Sequence, residues 1–300
     1  MKNLFFLVLL SLFSCNKNND NPSEDSKYIQ KTVQYQSISG VKSKLTSLDI
    51  NYFDKWTDLK PVMIFIHGGG WVIGDKTNKP SSKIELFKGL GYVYISINYR
   101  LSPFPYQLDN PNRILHPTHV KDVAKAIKYI YDNIEDYGGN KSNIAIMGHS
   151  AGAHLASLIA TDPKYLNAEG LKTSIFKGVV SLDTQASDID YAMQHTFEGS
   201  DLYKMYINAF GDTSNKWKEA SPINYVSSSL AKNWVVVYRG SQTRMTNQLR
   251  YIDALKAEGK SVTAINAVDY SHSGVNDAIG NTNDTVINKP IVEFLVNVLN

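Results

Sequence analysis

The sequence predicts an α/β fold, a mostly parallel sheet of about eight strands with helices on both faces. Three observations carry that prediction. Short apolar runs suited to buried strands alternate with longer stretches of helical periodicity, the pattern of strands joined by crossover helices. Asn143-Ile144-Ala145-Ile146-Met147, then Gly148-His149-Ser150-Ala151-Gly152, then an Ala- and Leu-rich run to Ala160 read as strand, sharp turn and helix with a serine at the apex. A chain of 300 residues, 43% hydrophobic and 20% charged, has the size and composition of one soluble α/β domain.

The elements follow from the periodicity. Ile29-Val33-Tyr35-Ile38 and Leu45-Leu48-Ile50-Tyr52, parted by Ser39-Gly40, predict an opening antiparallel pair. Val62 to Ile66 is apolar on both faces, hence central, and ends in His67-Gly68-Gly69-Gly70-Trp71. A helix is expected over Ser82–Leu90 and a strand over Val93–Ile97, then a long Pro-rich loop from Asn98 to Pro117. Val120, Val123, Ala124, Ile127, Ile130 and Tyr131 fall at helical spacing, and Gly138-Gly139 stops that helix. After the serine turn, Ile175 to Leu182 reads as a strand closing on Asp183, and residues 184–229 as an insertion of short helices over the site. A strand at Trp234–Tyr238, a helix from Gln248 to Glu258, a strand from Val262 to Val268 and a helix from Ile287 to Leu299 complete the domain. No internal repeat or second domain is visible.

The first residues follow different rules. Lys2 precedes an apolar run, Leu4 to Leu10, that is about half the ~20 residues of a membrane span. Leu12-Phe13-Ser14-Cys15 resembles a bacterial lipobox, and Cys15 is the only cysteine, so no internal disulfide is possible. Residues 1–14 are therefore expected to be a lipoprotein signal peptide and Cys15 the point of lipid attachment. Residues 15–27, with no large apolar side chain, form a flexible tether, and the folded domain spans 28–300. The expected location is that of an exported bacterial lipoprotein, on the periplasmic side or at the cell surface. An ordinary signal peptide ending in a chance Cys is the alternative. A net charge of +3 with no basic cluster argues against a nucleic-acid partner; the membrane is met through the anchor.

The residues themselves suggest acyl transfer. A serine on a strand–helix turn is exposed at the sheet tip, and its flanking glycines avoid collisions that a Cβ would cause. The tetrahedral oxyanion of such chemistry needs fixed donors, which the N–H groups of Gly69, Gly70 and Ala151 supply. The base should follow the serine in chain order, on the loop after the last strand, and of seven histidines only His272 meets both conditions. His67 is expected to hold the glycine loop, His149 to line the pocket, and His116, His119 and His154 to be structural. His195 either touches substrate or faces solvent. Trp71 lines the acyl pocket or makes a core or lid contact. Nothing has metal-ligand spacing and the three glycines lack the dinucleotide frame, so neither metal nor cofactor is expected.

With His67-Gly68-Gly69-Gly70-Trp71 ahead of the serine turn and a late histidine, the chain resembles the α/β-hydrolase fold. More narrowly it resembles the H-G-G-G carboxylesterases: hormone-sensitive-lipase-like and feruloyl- or acetyl-xylan-esterase-like enzymes, with bacterial kynurenine formamidases as relatives. Asn98-Tyr99-Arg100-Leu101-Ser102-Pro103, His116-Pro117 through Asp122-Val123-Ala124, and Asn133 to Gly139 extend the likeness. The resemblance implies a serine carboxylesterase acting through an acyl-enzyme on small-molecule or glycan-linked esters, acetyl or feruloyl groups among them. An arylformamidase, a lipase working at an interface and an inactive binding protein of the same fold are the alternatives.

The acid departs from the family pattern. These enzymes place an Asp after the strand before the last, but Arg239-Gly240-Ser241-Gln242-Thr243-Arg244-Met245-Thr246-Asn247 holds no carboxylate, and Thr243 stands about where it belongs. Asp183 is the best-placed substitute: it ends the strand beside the nucleophile strand, a position some lipases of this fold use, and keeps the order Ser, Asp, His. Asp188 and Asp269 are the runners-up, and a Ser–His pair aided by a backbone carbonyl is a further possibility.

Overall fold

The computed structural model describes residues 26–78, 81–227 and 230–299. The expected leader, Cys15 and most of the tether lie outside these. Eight strands form one sheet in the order β1-β2-β4-β3-β5-β6-β7-β8. The antiparallel edge is β1 (Tyr28–Gln34) and β2 (Ser47–Phe53), Tyr28 pairing with Phe53 and Gln34 with Ser47. The remaining strands run parallel to one another: β3 (Lys60–Ile66), β4 (Val93–Ile97), β5 (Gly139–His149), β6 (Phe176–Leu182), β7 (Asn233–Tyr238) and β8 (Ser261–Asn266). Pro61 lacks the N–H for the ladder, and the β3–β5 register shifts between Lys60 and Val62.

Strand periodicity divides the core in two. Val62, Ile64 and Ile66 of β3 face one cluster, Met63 and Phe65 the other. On the first face lie α2 (Thr118–Asn133), α3 (Ala151–Thr161) and α4 (Pro163–Ala168), and also α8 (Gln242–Ala257), through Ile127, Leu155, Leu166 and Ile252. On the second lie α1 (Ser81–Gly89), α9 (His272–Ala278) and α10 (Asn288–Leu299), through Phe87, Val275 and Leu295. Val62, Ile64, Ile66, Ile144 and Ile146 are completely buried, as the double-sided apolar runs required. The long segment after β6 carries α5 (Ile189–Gln194), α6 (Asp201–Phe210) and α7 (Ser214–Glu219), short helices as expected.

Three of the boundaries that differ from expectation bear on the site. Helix α8 begins at Gln242 and not Gln248, because the Ser241 hydroxyl accepts from Arg244 N–H (3.4 Å) and starts the helix in a polar stretch with no apolar stripe to mark it. Strand β8 ends at Asn266. His272 opens a short helix in place of a loop, capped by the Ser271 hydroxyl on Gly274 N–H (2.9 Å).

Candidate active site

The carboxyl ends of five neighbouring strands, β3, β5, β6, β7 and β8, converge on one place, the edge at which sheets of this kind bind ligands. Ser150 stands between β5 and α3 with φ 57° and ψ −119°, and its N–H is fixed by the Leu182 carbonyl of β6 (2.9 Å). Holding a side-chain-bearing residue there costs about 1–3 kcal/mol and needs a rigid frame. The frame is steric: a Cβ on Gly152 would stand 2.1 Å from the Ile66 carbonyl, and one on Gly148 equally close to the Gly152 carbonyl. Both glycines are therefore required by backbone contact.

The turn after β3 is shaped by the same means. Gly69 and Gly70 take φ of 114° and 59°, and a Cβ on Gly69 would strike the Ile73 carbonyl at 2.0 Å. The His67 ring stacks on Tyr99 (4.6 Å), and its Nδ1–H donates to the Gly68 carbonyl (2.7 Å), so it braces the turn. Trp71, with φ 63°, is buried against Phe210 and Tyr206 and donates Nε1–H to His154 Nδ1 (3.3 Å). His154 in turn donates Nε2–H to the Ala220 carbonyl (2.8 Å), which fixes its neutral tautomer; burial holds its pKa down, to about 4. His116 and His119 are likewise buried, against Tyr165 and Ser102.

Asp183 has φ 52° and a side chain with no solvent exposure. With Trp71 and Ser150 it completes the non-glycine positive-φ residues among those described, so the backbone strain collects at this one edge. His272 Nδ1–H donates to Asp183 Oδ2 at 2.6 Å. That bond leaves Nε2 as the nitrogen free to take a proton. Burial pushes the Asp183 carboxyl up, but the bond from His272 and the Arg244 guanidinium overcome it and bring the pKa to about 2. On its other side His272 is held by its own carbonyl, which accepts from His149 Nε2–H (2.9 Å) with the two rings 4.6 Å apart. Burial first, and then the neighbouring His272, lower the His149 pKa to about 4.

A cavity of about 340 Å³ joins these parts: Ser150, Ala151, Gly69, Gly70 and His272 line it together. Trp71 and His149 contribute to its wall, and Met205 and Tyr206 of α6 cover it, so the segment after β6 does lie over the site. The structure shows no hydrogen bond between the Ser150 hydroxyl and His272, a bond that often tightens only with substrate present. Asp188 and Asp269 stand elsewhere. Asp188 caps α5, accepting from Tyr191 N–H (3.0 Å), and Asp269 is exposed on the loop after β8. His195 is exposed and stacks on Tyr191. Among the described residues no group of three His, Cys, Asp or Glu side chains is placed to hold a metal ion.

The BD-FAE family model matches residues 48–248, from β2 into α8. The chain belongs to the BD-FAE family. Its fold is that of the α/β hydrolases. Esterase LipQ of Mycobacterium tuberculosis (strain ATCC 25618 / H37Rv) is 35% identical over 177 residues, 56% of this chain and 39% of that protein. The probable carboxylic ester hydrolase LipM of the same organism is 29% identical over 229 residues, 70% of this chain and 50% of that one. The chain thus spans half or less of the length of these two relatives. A truncated form of a carbohydrate esterase from gut microbiota superposes with a TM-score of 0.69 at 19% identity, covering 92% of this chain and 98% of that one.

Within this BD-FAE frame, the segment from Arg239 to Asn247, from the end of β7 into α8, carries two arginines and no carboxylate. Arg244 Nε and NH2 donate to Asp183 Oδ1 (3.0 and 2.7 Å), and Arg239 NH1 donates to Oδ2 (3.3 Å). Neither arginine figured among the expected site residues. The signal was two arginines in the stretch that lacks an acid, one of them in the first turn of a helix capped by Ser241.

Proposed function

We propose that this chain is a serine carboxylesterase, working through an acyl-enzyme, exported and anchored through Cys15. The observation that carries the reading is the 2.6 Å bond to a fully buried Asp183 from Nδ1 of His272, which lines one cavity with Ser150 and the glycine turn. In this reading His272 Nε2 accepts the Ser150 proton as Oγ attacks the ester carbonyl. Asp183 keeps the ring aimed and compensates the imidazolium. The carbonyl oxygen becomes an oxyanion held by the N–H groups of Gly69, Gly70 and Ala151, which need no reorganisation because their backbone is fixed beforehand. The imidazolium then protonates the departing alcohol. Water, deprotonated by the same nitrogen, then attacks the acyl carbon, the bond to Ser150 Oγ breaks, and the imidazolium returns its proton to Oγ as the acid leaves. A cavity of about 340 Å³ with Met205 and Tyr206 in its wall suits short acyl groups, and esters carried on a small molecule or a glycan are the substrate class.

A fluorophosphonate probe and p-nitrophenyl acetate test the reading together. Wild type is expected to be labelled and to hydrolyse the ester, and Ser150→Ala to do neither. Equal labelling of Ser150→Ala would end the proposal. The activity is expected in the membrane fraction, with Cys15→Ser releasing it.

A further inference from the structure

We propose that Arg244 is a positioning residue: its planar fork aims the Asp183 carboxylate at His272, and it acts on the reaction only through that carboxylate. The inference rests on the esterase reading above.

The geometry separates the two oxygens of Asp183. Oδ1 is occupied by Arg244 Nε and NH2 at 3.0 and 2.7 Å, with Gln248 Nε2 at 3.4 Å. That leaves Oδ2 for His272 at 2.6 Å, with Arg239 NH1 beside it at 3.3 Å. A two-pronged grip on one oxygen fixes the rotation of the carboxylate, which a single point charge does not. The same NH2 also donates to the Asp183 main-chain carbonyl at 2.8 Å. Arg244 therefore clamps both ends of a residue whose φ of 52° is itself strained. Its remaining terminal nitrogen, NH1, donates to Gln185 Oε1 at 2.9 Å.

Although Arg244 lines the catalytic cavity, four of its five N–H donors are committed inside the protein, three to Asp183 and one to Gln185. Its main engagement is therefore with the carboxylate, and the KM of its variants tests whether the fifth donor meets substrate. Arg244 NH2 also lies 3.4 Å from His272 Nδ1. The groups around that ring are Asp183 from the end of β6, Arg239 and Arg244 from the β7–α8 side, and His149 from the serine turn. Among them Arg244 makes the most bonds to the carboxylate, two to Oδ1 against one from Arg239 to Oδ2. Helix α8 can deliver it only because Ser241 starts that helix at Gln242, which places residue 244 in the first turn.

The test is a double-mutant cycle on kcat and KM for p-nitrophenyl acetate, with wild type, Arg244→Gln, Arg244→Lys, Asp183→Asn and Asp183→Asn/Arg244→Gln. Asp183→Asn should lower kcat ~10⁴-fold, the loss seen when a triad carboxylate becomes an amide. Arg244→Gln should lower kcat roughly 100-fold with KM within about threefold, and the double variant should be no slower than Asp183→Asn alone. Arg244→Lys, which keeps the charge without the fork, should recover no more than about a tenth of the lost rate. Losses that multiply in the double variant would overturn the inference. So would a rise in KM at constant kcat, the mark of a substrate contact, or a fully active Arg244→Gln. If Arg244→Gln does not fold, two comparisons remain: Arg244→Lys with wild type, and the double variant, in which both charges are gone, with Asp183→Asn. If Ser150→Ala is inactive while every Arg244 variant is normal, this inference alone fails. An active Ser150→Ala fails the underlying reading first.

Discussion

The two sides of the cavity are built from different materials. On one side stand the serine turn and the loop after β3, shaped by main chain. Positive φ angles, and glycines at which a Cβ would stand only 2.0 to 2.1 Å from a carbonyl, hold Ser150, Gly69 and Ala151 in place. On the other side Asp183, the pair Arg239 and Arg244, and His272 arrive on three separate stretches and are held by ion pairs and hydrogen bonds between side chains. A main-chain wall is intolerant of volume. A side-chain wall tolerates volume better and depends on charge.

The largest effect should come from breaking the main-chain side. In Gly152→Ala the new methyl would meet the Ile66 carbonyl and the His67 carbonyl, at 2.1 and 2.5 Å, and neither is a flexible side chain that can swing away. Either β3 or α3 must move. The cost is expected at or above the upper end of ~1–3 kcal/mol for overpacking, and much of the chain should be insoluble or inactive. A soluble Gly152→Ala with wild-type kcat and unchanged urea midpoint would show that the steric account of the turn is wrong.

This contrast also explains what could be read beforehand. The serine turn was legible because a main-chain solution writes itself into consecutive residues: apolar strand, Gly148, Ser150, Gly152, helix. The glycine loop was legible for the same reason, and so were the buried central strands, whose apolar runs have no polar alternation. The ion-paired side is assembled across 89 residues between Asp183 and His272 and 61 between Asp183 and Arg244, and no local pattern announces it. What points to Asp183 in the sequence is its place at the end of the strand expected beside the nucleophile strand, the use of that position by some lipases of this fold, and the chain order Ser, Asp, His. The arginines that grip it were hidden in a polar stretch that gave no sign of being helical. His149 was placed in the pocket, but its bond to the His272 carbonyl depends on how α9 begins, which was read as loop.

The next effect separates the two sides by pH. His149 and His154, both on the serine side, are neutral in the fold, with pKa values lowered from 6.5 to about 4 chiefly by burial. An unfolded chain therefore binds more protons than the folded one between those values, and stability must fall as pH drops from about 6.5 to about 4. By linkage each histidine accounts for up to roughly 3 kcal/mol across that window. His119 and His116, lowered to about 3 and about 2, extend the loss further into acid. Asp183 behaves differently. Its depressed pKa stabilises the fold above about 4, and this contribution disappears only as pH falls through about 2. The stability that depends on the neutral histidines is thus lost at higher pH than the part that depends on the Asp183 carboxylate. Urea midpoints at pH 7 and pH 5 measure it, and equal midpoints would remove the histidines from the account.

The smallest effect sharpens the choice of acid. Asp188 lies five residues after Asp183, is also buried, and is also held by an arginine, Arg250 NH2 to Oδ2 at 2.9 Å. Its work is different. Oδ1 accepts from Tyr191 N–H at 3.0 Å and starts α5, while its main-chain carbonyl and N–H meet Asn247 at 2.6 and 3.3 Å, tying the segment over the cavity to α8. Asp188→Asn keeps a good helix cap and loses only a pair whose arginine is half exposed, so the cost should be below about 1 kcal/mol. Asp188→Ala loses the cap as well and should cost about 1–2 kcal/mol. Neither should change kcat for p-nitrophenyl acetate by more than about twofold, since an effect confined to stability does not reach the reacting atoms. A fall of a hundredfold in Asp188→Asn, with its melting temperature intact, would move the acid from the end of β6 to the start of α5. The 2.6 Å bond between Asp183 and His272 would then describe only how the ring is stored.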